Sequence, residues 1–303
     1  MVKKEIIQFA LSLIISPLLF GVINRTKAFF AGRRGAPLLQ LYYDLFKLLR
    51  KSAVYSDTIT PVFVFAPIIS LGAVITSLLI VPFAGYRPLV SFEGDLVLFI
   101  YLLALARFFI VIAALDTGSS FEGMGASREA QFAVFAEPAF FLSLVALSRA
   151  AGQMSVSGIF SSSVTSMWSS YGPMVFLVLG SLFIVFLAEN SRIPVDDPNT
   201  HLELTMIHEV MVLDHSGVDL AFLFYSAAIK FWLFGSLIIG VFFGPRNFGW
   251  GIDCIIFIVS MMVLACITGI VESIFARLRL LKVPHFLIVA LALSVVAVIL
   301  TLR

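Results

Sequence analysis

At 303 residues, 60% of them hydrophobic and only 13% charged, the chain carries about half the charged fraction of an ordinary soluble domain. A mean hydropathy of +1.07 excludes a soluble globular domain, and a formal net charge of +2 gives no footing for nucleic-acid binding. The two cysteines, Cys254 and Cys266, lie twelve apart inside an apolar run and are too few for this chain alone to hold a metal–thiolate cluster, so no redox centre is expected here.

Crossing the hydrocarbon core takes about 20 residues as a helix, and such runs occur at 6–24, 61–83, 95–115, 129–150, 172–189, 220–243, 252–275 and 284–302. The expected fold is therefore an all-α integral membrane protein of eight transmembrane helices forming a single polytopic domain, 1–303. Lys3 and Lys4 precede the first run as in a signal peptide, but no small-residue cleavage site follows, so the run is read as a helix. Twelve lysines and arginines fall on the side reached after odd-numbered helices and six on the other, which makes the former side cytoplasmic. Both termini are then expected outside the cytoplasmic membrane.

The cytoplasmic loops are 25–58, 116–128, 190–219 and 276–283. In the first, GRRGAPLLQLYYDLFKLLRK places Leu38, Leu41, Tyr42, Leu45, Leu48 and Leu49 at helical spacing, with Gln40, Asp44 and Lys47 between them. That pattern predicts an amphipathic helix lying in the interface, too short to span. The second loop is rich in Gly and Ser and bracketed by Asp116 and Arg128. Its glycines do not form a phosphate-binding GxGxxG between strand and helix.

The third loop belongs to the one long polar stretch of the chain, AENSRIPVDDPNTHLELTMIHEVMVLDHSG, residues 188–217. A plain solvated connection is the simplest reading, yet this stretch alternates acids and bases: Glu189, Arg192, Asp196, Asp197, His201, Glu203, His208, Glu209, Asp214 and His215. The histidines at 201, 208 and 215 would lie about 10 Å apart along a continuous helix, too far to share one ion. His208-Glu209 is followed by Val210, Met211, Val212 and Leu213, so it is not the HExxH of a zinc hydrolase, and no metal site is expected. Proton relay or cavity-wall hydrogen bonding is the reading that remains.

Three ionisable residues fall at mid-membrane depth: Arg107, nine before Asp116; Glu137, nine after Arg128; and Lys230 in the sixth span. An unpaired charge there costs about 3 kcal/mol even on a lenient scale, so such residues face each other or a hydrated cavity. They could form a static cluster fixing helix packing. Together with Glu129, Glu189 and Glu203 they supply several titratable steps, which favours an ion path.

The motifs also carry a resemblance. RRG followed by LLQ, D and KLL in the first loop, GAxR at 125–128 with Glu137 nine residues on, and AExxRxPxD from Ala188 to Asp196 resemble the membrane-anchor subunit of respiratory complex I. ARFFIVIAALDTGSSFEGMGASREA and the closing ARLRL are more similar to the corresponding subunit of energy-converting membrane-bound nickel–iron hydrogenases, including the formate hydrogenlyase and hydrogenase-4 types. Asn199 and His201 stand where quinone-using relatives have two further acids, which weighs against carrying quinone binding over.

The resemblance implies a non-catalytic subunit of an oxidoreductase complex, docked under a cytoplasmic arm. Its partners would be hydrogenase-like large and small subunits, an iron–sulfur subunit and antiporter-like membrane subunits, with the iron–sulfur clusters and a nickel–iron centre held in those partners. The expected ion path is Glu137, Glu129, Arg107, Lys230, Glu189 and Glu203. The coupling loop comprises Arg192, Asp196, Asp197, His201, His208, Glu209, Asp214 and His215. Arm docking falls to Arg33, Arg34, Asp44, Asp116, Arg128, Arg277 and Arg279. The alternatives are a quinone-binding subunit of a complex I-like dehydrogenase and a free-standing secondary transporter.

Overall fold

The computed structural model describes residues 2–160, 163–196, 206–244 and 248–302. Among them ten α-helices run in order: α1 Val2–Phe30, α2 Gln40–Leu49, α3 Pro61–Ile80, α4 Asp95–Asp116, α5 Ser120–Ala151, α6 Val156–Ile159, α7 Ser163–Glu189, α8 Gly217–Phe243, α9 Trp250–Ile274 and α10 Val283–Leu300. Eight helical stretches among the described residues are long and apolar enough to span a membrane, built on every helix but α2 and α6. Helices satisfy their own backbone polar groups, which a chain immersed in hydrocarbon must do. The short α2 is the amphipathic helix expected after the first span, and it packs on α1 and α8.

Three helices extend well beyond their expected bounds. The first span was expected to stop before Arg25 and Lys27, but α1 continues to Phe30 because Lys27 Nζ finds Glu272 of α9 at 2.8 Å. The expected loop 116–128 is mostly helix, since α5 begins at Ser120. Its glycines read as loop-formers, but Gly125 faces segment 207–211, and a Cβ there would lie 2.3 Å from Val210 Cγ1. Tertiary packing of that face outweighs the poor local helix propensity. The third is α7, which starts at Ser163 rather than 172 and is kinked at Tyr171, two residues before Pro173.

Carboxylates tie the connections down. At one end of the bundle, Asp116 accepts from Thr60 N at 2.7 Å and Thr60 Oγ1 at 2.9 Å, joining the start of α3 to the end of α4. At the other end Asp95 accepts from Val156 N at 2.6 Å and Ser155 Oγ at 2.9 Å, while α5 stops at Gly152, whose φ of 68° favours glycine. The centre is aromatic: Phe186 packs on Phe231, Phe231 on Phe20, Phe140 on Phe234, and Phe83 on Trp232 and Phe257.

Candidate functional site

Arg107, midway along α4, would be untenable alone at that depth, and the neighbouring helices answer it with acids. Its Nε lies 3.1 Å from Glu129 Oε1 of α5, and its Nη1 2.5 Å from Glu137 Oε1, two turns further along the same helix. Its Nη2 donates to Glu189 Oε1 at the end of α7. Glu189 Oε2 in turn lies 2.8 Å from Lys230 Nζ on α8. Five of the six expected path residues thus come together from four helices, while Glu203 lies outside the described residues.

The charges of this cluster do not balance. With His208 neutral, two cations, Arg107 and Lys230, face three carboxylates, which leaves one negative charge over when all are ionised. An uncompensated charge is costly in a low-dielectric interior. Most of the cluster is enclosed, but the Glu137 side chain is 44% exposed on the outer surface of the bundle.

The loop reaches the cluster through His208. Its Nε2 is 3.4 Å from Glu129 Oε2, and its Nδ1 is 4.0 Å from Asp196 Oδ2. Burial disfavours the imidazolium, but the Glu129 carboxylate outweighs it and the His208 pKa is raised. The backbone around it is clamped. Asp196 Oδ2 accepts from Ile207 N and His208 N, Arg277 Nη2 holds Asp196 Oδ1 at 2.7 Å, and Arg128 donates to Met206 O.

A second buried group lies beside the first. Arg192 is held over the Phe20 ring, with its Cζ 4.4 Å from the centroid, and its Nη1 is 3.4 Å from Glu272 Oε1. Glu272 was not singled out from the sequence, although a lone acid in the last turn of an apolar span is a recognisable signal. Glu122 was also missed: wholly buried, it accepts the Asp214 N–H at 3.0 Å.

The rest of the expected coupling loop divides. Asp197, His201 and Glu203 lie outside the described residues. His208 and His215 do not share a helical face, because a 3₁₀ turn, Glu209–Val212, and a further turn at Leu213 and Asp214 separate them. His215 is 4% exposed and stacks on Phe63 with ring centroids 3.9 Å apart. Among the described residues, no group of three His, Cys, Asp or Glu could hold a metal ion.

Burial lowers the His215 pKa to about 4, from an unperturbed value of about 6.5. A depressed folded-state pKa gives stability that is complete above the unfolded value and lost as pH falls from about 6.5 towards about 4. Amide exchange in segment 206–217 is therefore expected to rise on acidification through that window, and His215→Phe, which keeps the stacking, should flatten the rise. An identical pH response in the variant would assign the effect to another group.

The expected docking set divides by exposure and partners. Arg33, Arg34 and Arg279 are exposed, but Asp116, Arg128 and Arg277 are held by partners within the chain, and Asp44 accepts from Gln40 Nε2 at 2.9 Å. Polar groups at the ends of membrane helices find partners in neighbouring loops, so position in a loop does not make a residue free to dock.

A multi-pass helical bundle enclosing an unbalanced ionic cluster, opened to one elaborated end by a histidine, is a membrane protein built around buried titratable groups. The chain belongs to the NADH dehydrogenase family, whose model matches residues 4–302. It is 30% identical to formate hydrogenlyase subunit 4 of Escherichia coli K12, covering 94% of this chain and 93% of that one. To hydrogenase-4 component C of the same organism it is also 30% identical, with 96% and 92% covered. An NADH-quinone oxidoreductase subunit of Rickettsia canadensis is 27% identical over 72% of this chain and 64% of its own length. A chain of the membrane-bound sulfane sulfur reductase (MBS), an archaeal respiratory membrane complex, matches the fold with a TM-score of 0.84 over 99% of both chains, at 20% identity.

Proposed function

We propose that this chain is the membrane subunit of a complex I-related, energy-converting oxidoreductase of the hydrogenase or formate hydrogenlyase type. It anchors a cytoplasmic redox arm and couples electron transfer there to proton or sodium movement. The observation that carries this reading is the Arg107-centred cluster, with one negative charge in excess and one outward-facing member, Glu137. A carboxylate exposed at membrane depth is poorly suited to lipid, so this face of α5 meets antiporter-like membrane subunits. The relatives named formate hydrogenlyase subunit 4 and hydrogenase-4 component C support the type of complex.

A free-standing transporter fits less well. Within one turn beyond the ionic residues, away from the elaborated end, stand Leu103, Phe140, Phe186, Phe231 and Phe234, all 5% exposed or less. This apolar layer seals the cluster from the far end of the bundle, so ions enter from the loop side and leave sideways. The elaborated end is cytoplasmic, both termini lie on the other side, and the iron–sulfur clusters and nickel–iron centre reside in the hydrogenase-like partners.

Affinity purification of this chain from its native membrane tests the reading: it is expected to bring down nickel- and iron-bearing subunits at stoichiometric ratio. Arg33→Glu with Arg34→Glu reverses two exposed charges on the docking face and should release the arm while leaving membrane insertion intact. Recovery of the chain alone from wild-type membranes would refute the complex. Full retention of the arm by the double variant would move the docking surface elsewhere.

A further inference from the structure

Of the coupling-loop histidines among the described residues, His208 and not His215 reaches the cluster. It stands between the clamped loop and the cluster, with a carboxylate on either side of its ring. We propose that His208 is the proton relay that loads the Arg107-centred cluster, its ring alternating between Asp196 on the loop side and Glu129 on the membrane side. This deepens the ion-coupling function proposed above and rests on it.

The geometry supports alternation rather than a fixed bridge. Both ring nitrogens are buried, neither makes a hydrogen bond, and their nearest carboxylate oxygens are 3.4 and 4.0 Å away. A small rotation brings one within bonding distance while leaving the other. The backbone does not share that freedom. Asp196 holds the N–H groups of Ile207 and His208, Arg128 holds the carbonyl of Met206, and Ile207 is buried against Phe132 and Ala136. The ring therefore turns on a fixed mount, and its side chain is 26% exposed.

The step balances with protons alone. A proton arriving from Asp196 or from water bonds to Nδ1 of the neutral ring, giving an imidazolium. Nε2–H is then released to Glu129, which becomes a neutral acid and cancels the excess negative charge of the cluster. The ring is left with its proton on Nδ1, and rotation or tautomer exchange returns it to the starting state. One proton has moved inward, and no electron is needed.

The charged groups around the ring hold its proton between transfers. Glu129 on α5 favours the imidazolium most strongly, Asp196 on the loop adds to it, and Lys230 on α8 opposes it. Arg107 stands behind Glu129, and Arg277 holds the far oxygen of Asp196. Arg107 also contacts Glu137 and Glu189, so a proton delivered to Glu129 lies one cation away from both remaining acids of the cluster.

The test uses the intact complex in sealed vesicles, measuring electron transfer to an artificial acceptor and ion translocation across pH. His208→Gln keeps size and hydrogen bonding but cannot carry a proton. Its complex is expected to assemble, and translocation should fall about 10²-fold, the lower end of the range for loss of a positioned proton carrier. Wild-type translocation should decline as pH rises through the raised His208 pKa, and that limb should be absent from the variant. His208→Ala should regain translocation on adding free imidazole, which a packing role does not predict. Full translocation by His208→Gln with the wild-type pH profile, alongside a defective Glu137→Gln complex, would remove the relay and leave the ion path standing. Wild-type behaviour of both variants would overturn the ion path itself. Loss of assembly in His208→Gln, without imidazole rescue of His208→Ala, would overturn the relay in favour of a structural role.

Discussion

Arg107→Met is expected to abolish accumulation of the folded chain in the membrane. The substitution keeps the apolar stem but removes the cation contacted by Glu129, Glu137 and Glu189. Breaking one buried ion pair by deleting a partner costs about 3–5 kcal/mol, and whole-domain stability is only about 5–15 kcal/mol. Lys230 makes its ion pair with Glu189, so it compensates the two acids on α5 only in part. Arg107→Lys restores the charge but not a planar fork able to meet three carboxylates, and should recover only part of the folded protein. Gel filtration of solubilised membranes measures the outcome. Wild-type yield from Arg107→Met would mean that the acids are already neutral, and the charge argument for an ion site would fall with it.

Glu137→Gln should have the opposite profile, with assembly retained and ion translocation lost. Gln preserves volume, and Arg107 keeps two of its three carboxylates. The side chain is 44% exposed, so its loss leaves no enclosed void, and its exposure matters only if something beyond this chain receives the ion. Two cations then face two carboxylates, and the excess negative charge that attracts a proton disappears. Translocation is expected to fall roughly 10²-fold, the scale for removing a positioned proton carrier, while electron transfer to an artificial acceptor persists. An assembled variant that pumps at the wild-type rate would confine Glu137 to a packing role.

Much of the site was legible one residue at a time and little of it as a set of contacts. Arg107, Glu137 and Lys230 stood out because an ionisable residue in an apolar run is rare and costly wherever it lies. Their pairing was not legible, because it depends on which faces of α4, α5, α7 and α8 turn towards each other. Glu272 escaped notice because it sits near the end of its span, where a charge can reach water; its burial against Lys27 and Arg192 comes only from the packing of α1 on α9. Arg128 and Arg277 were read as docking residues for the complementary reason: each lies in or beside a loop, and the partner that claims it is distant in sequence.

The sequence by itself determined the class, the eight spans and the amphipathic α2. Each follows from a local quantity, the run of apolar residues measured against bilayer thickness or the period of apolar residues along a short helix. Tertiary structure decided how far α1 and α5 extend, which acids answer Arg107, and that His208 rather than His215 reaches them. Those outcomes depend on electrostatic and steric complementarity between segments up to 245 residues apart, as with Lys27 and Glu272. A buried charge is stable only beside its counter-charge, so the position of each ionic side chain was settled by the helix packed against it and not by its own neighbours in the chain.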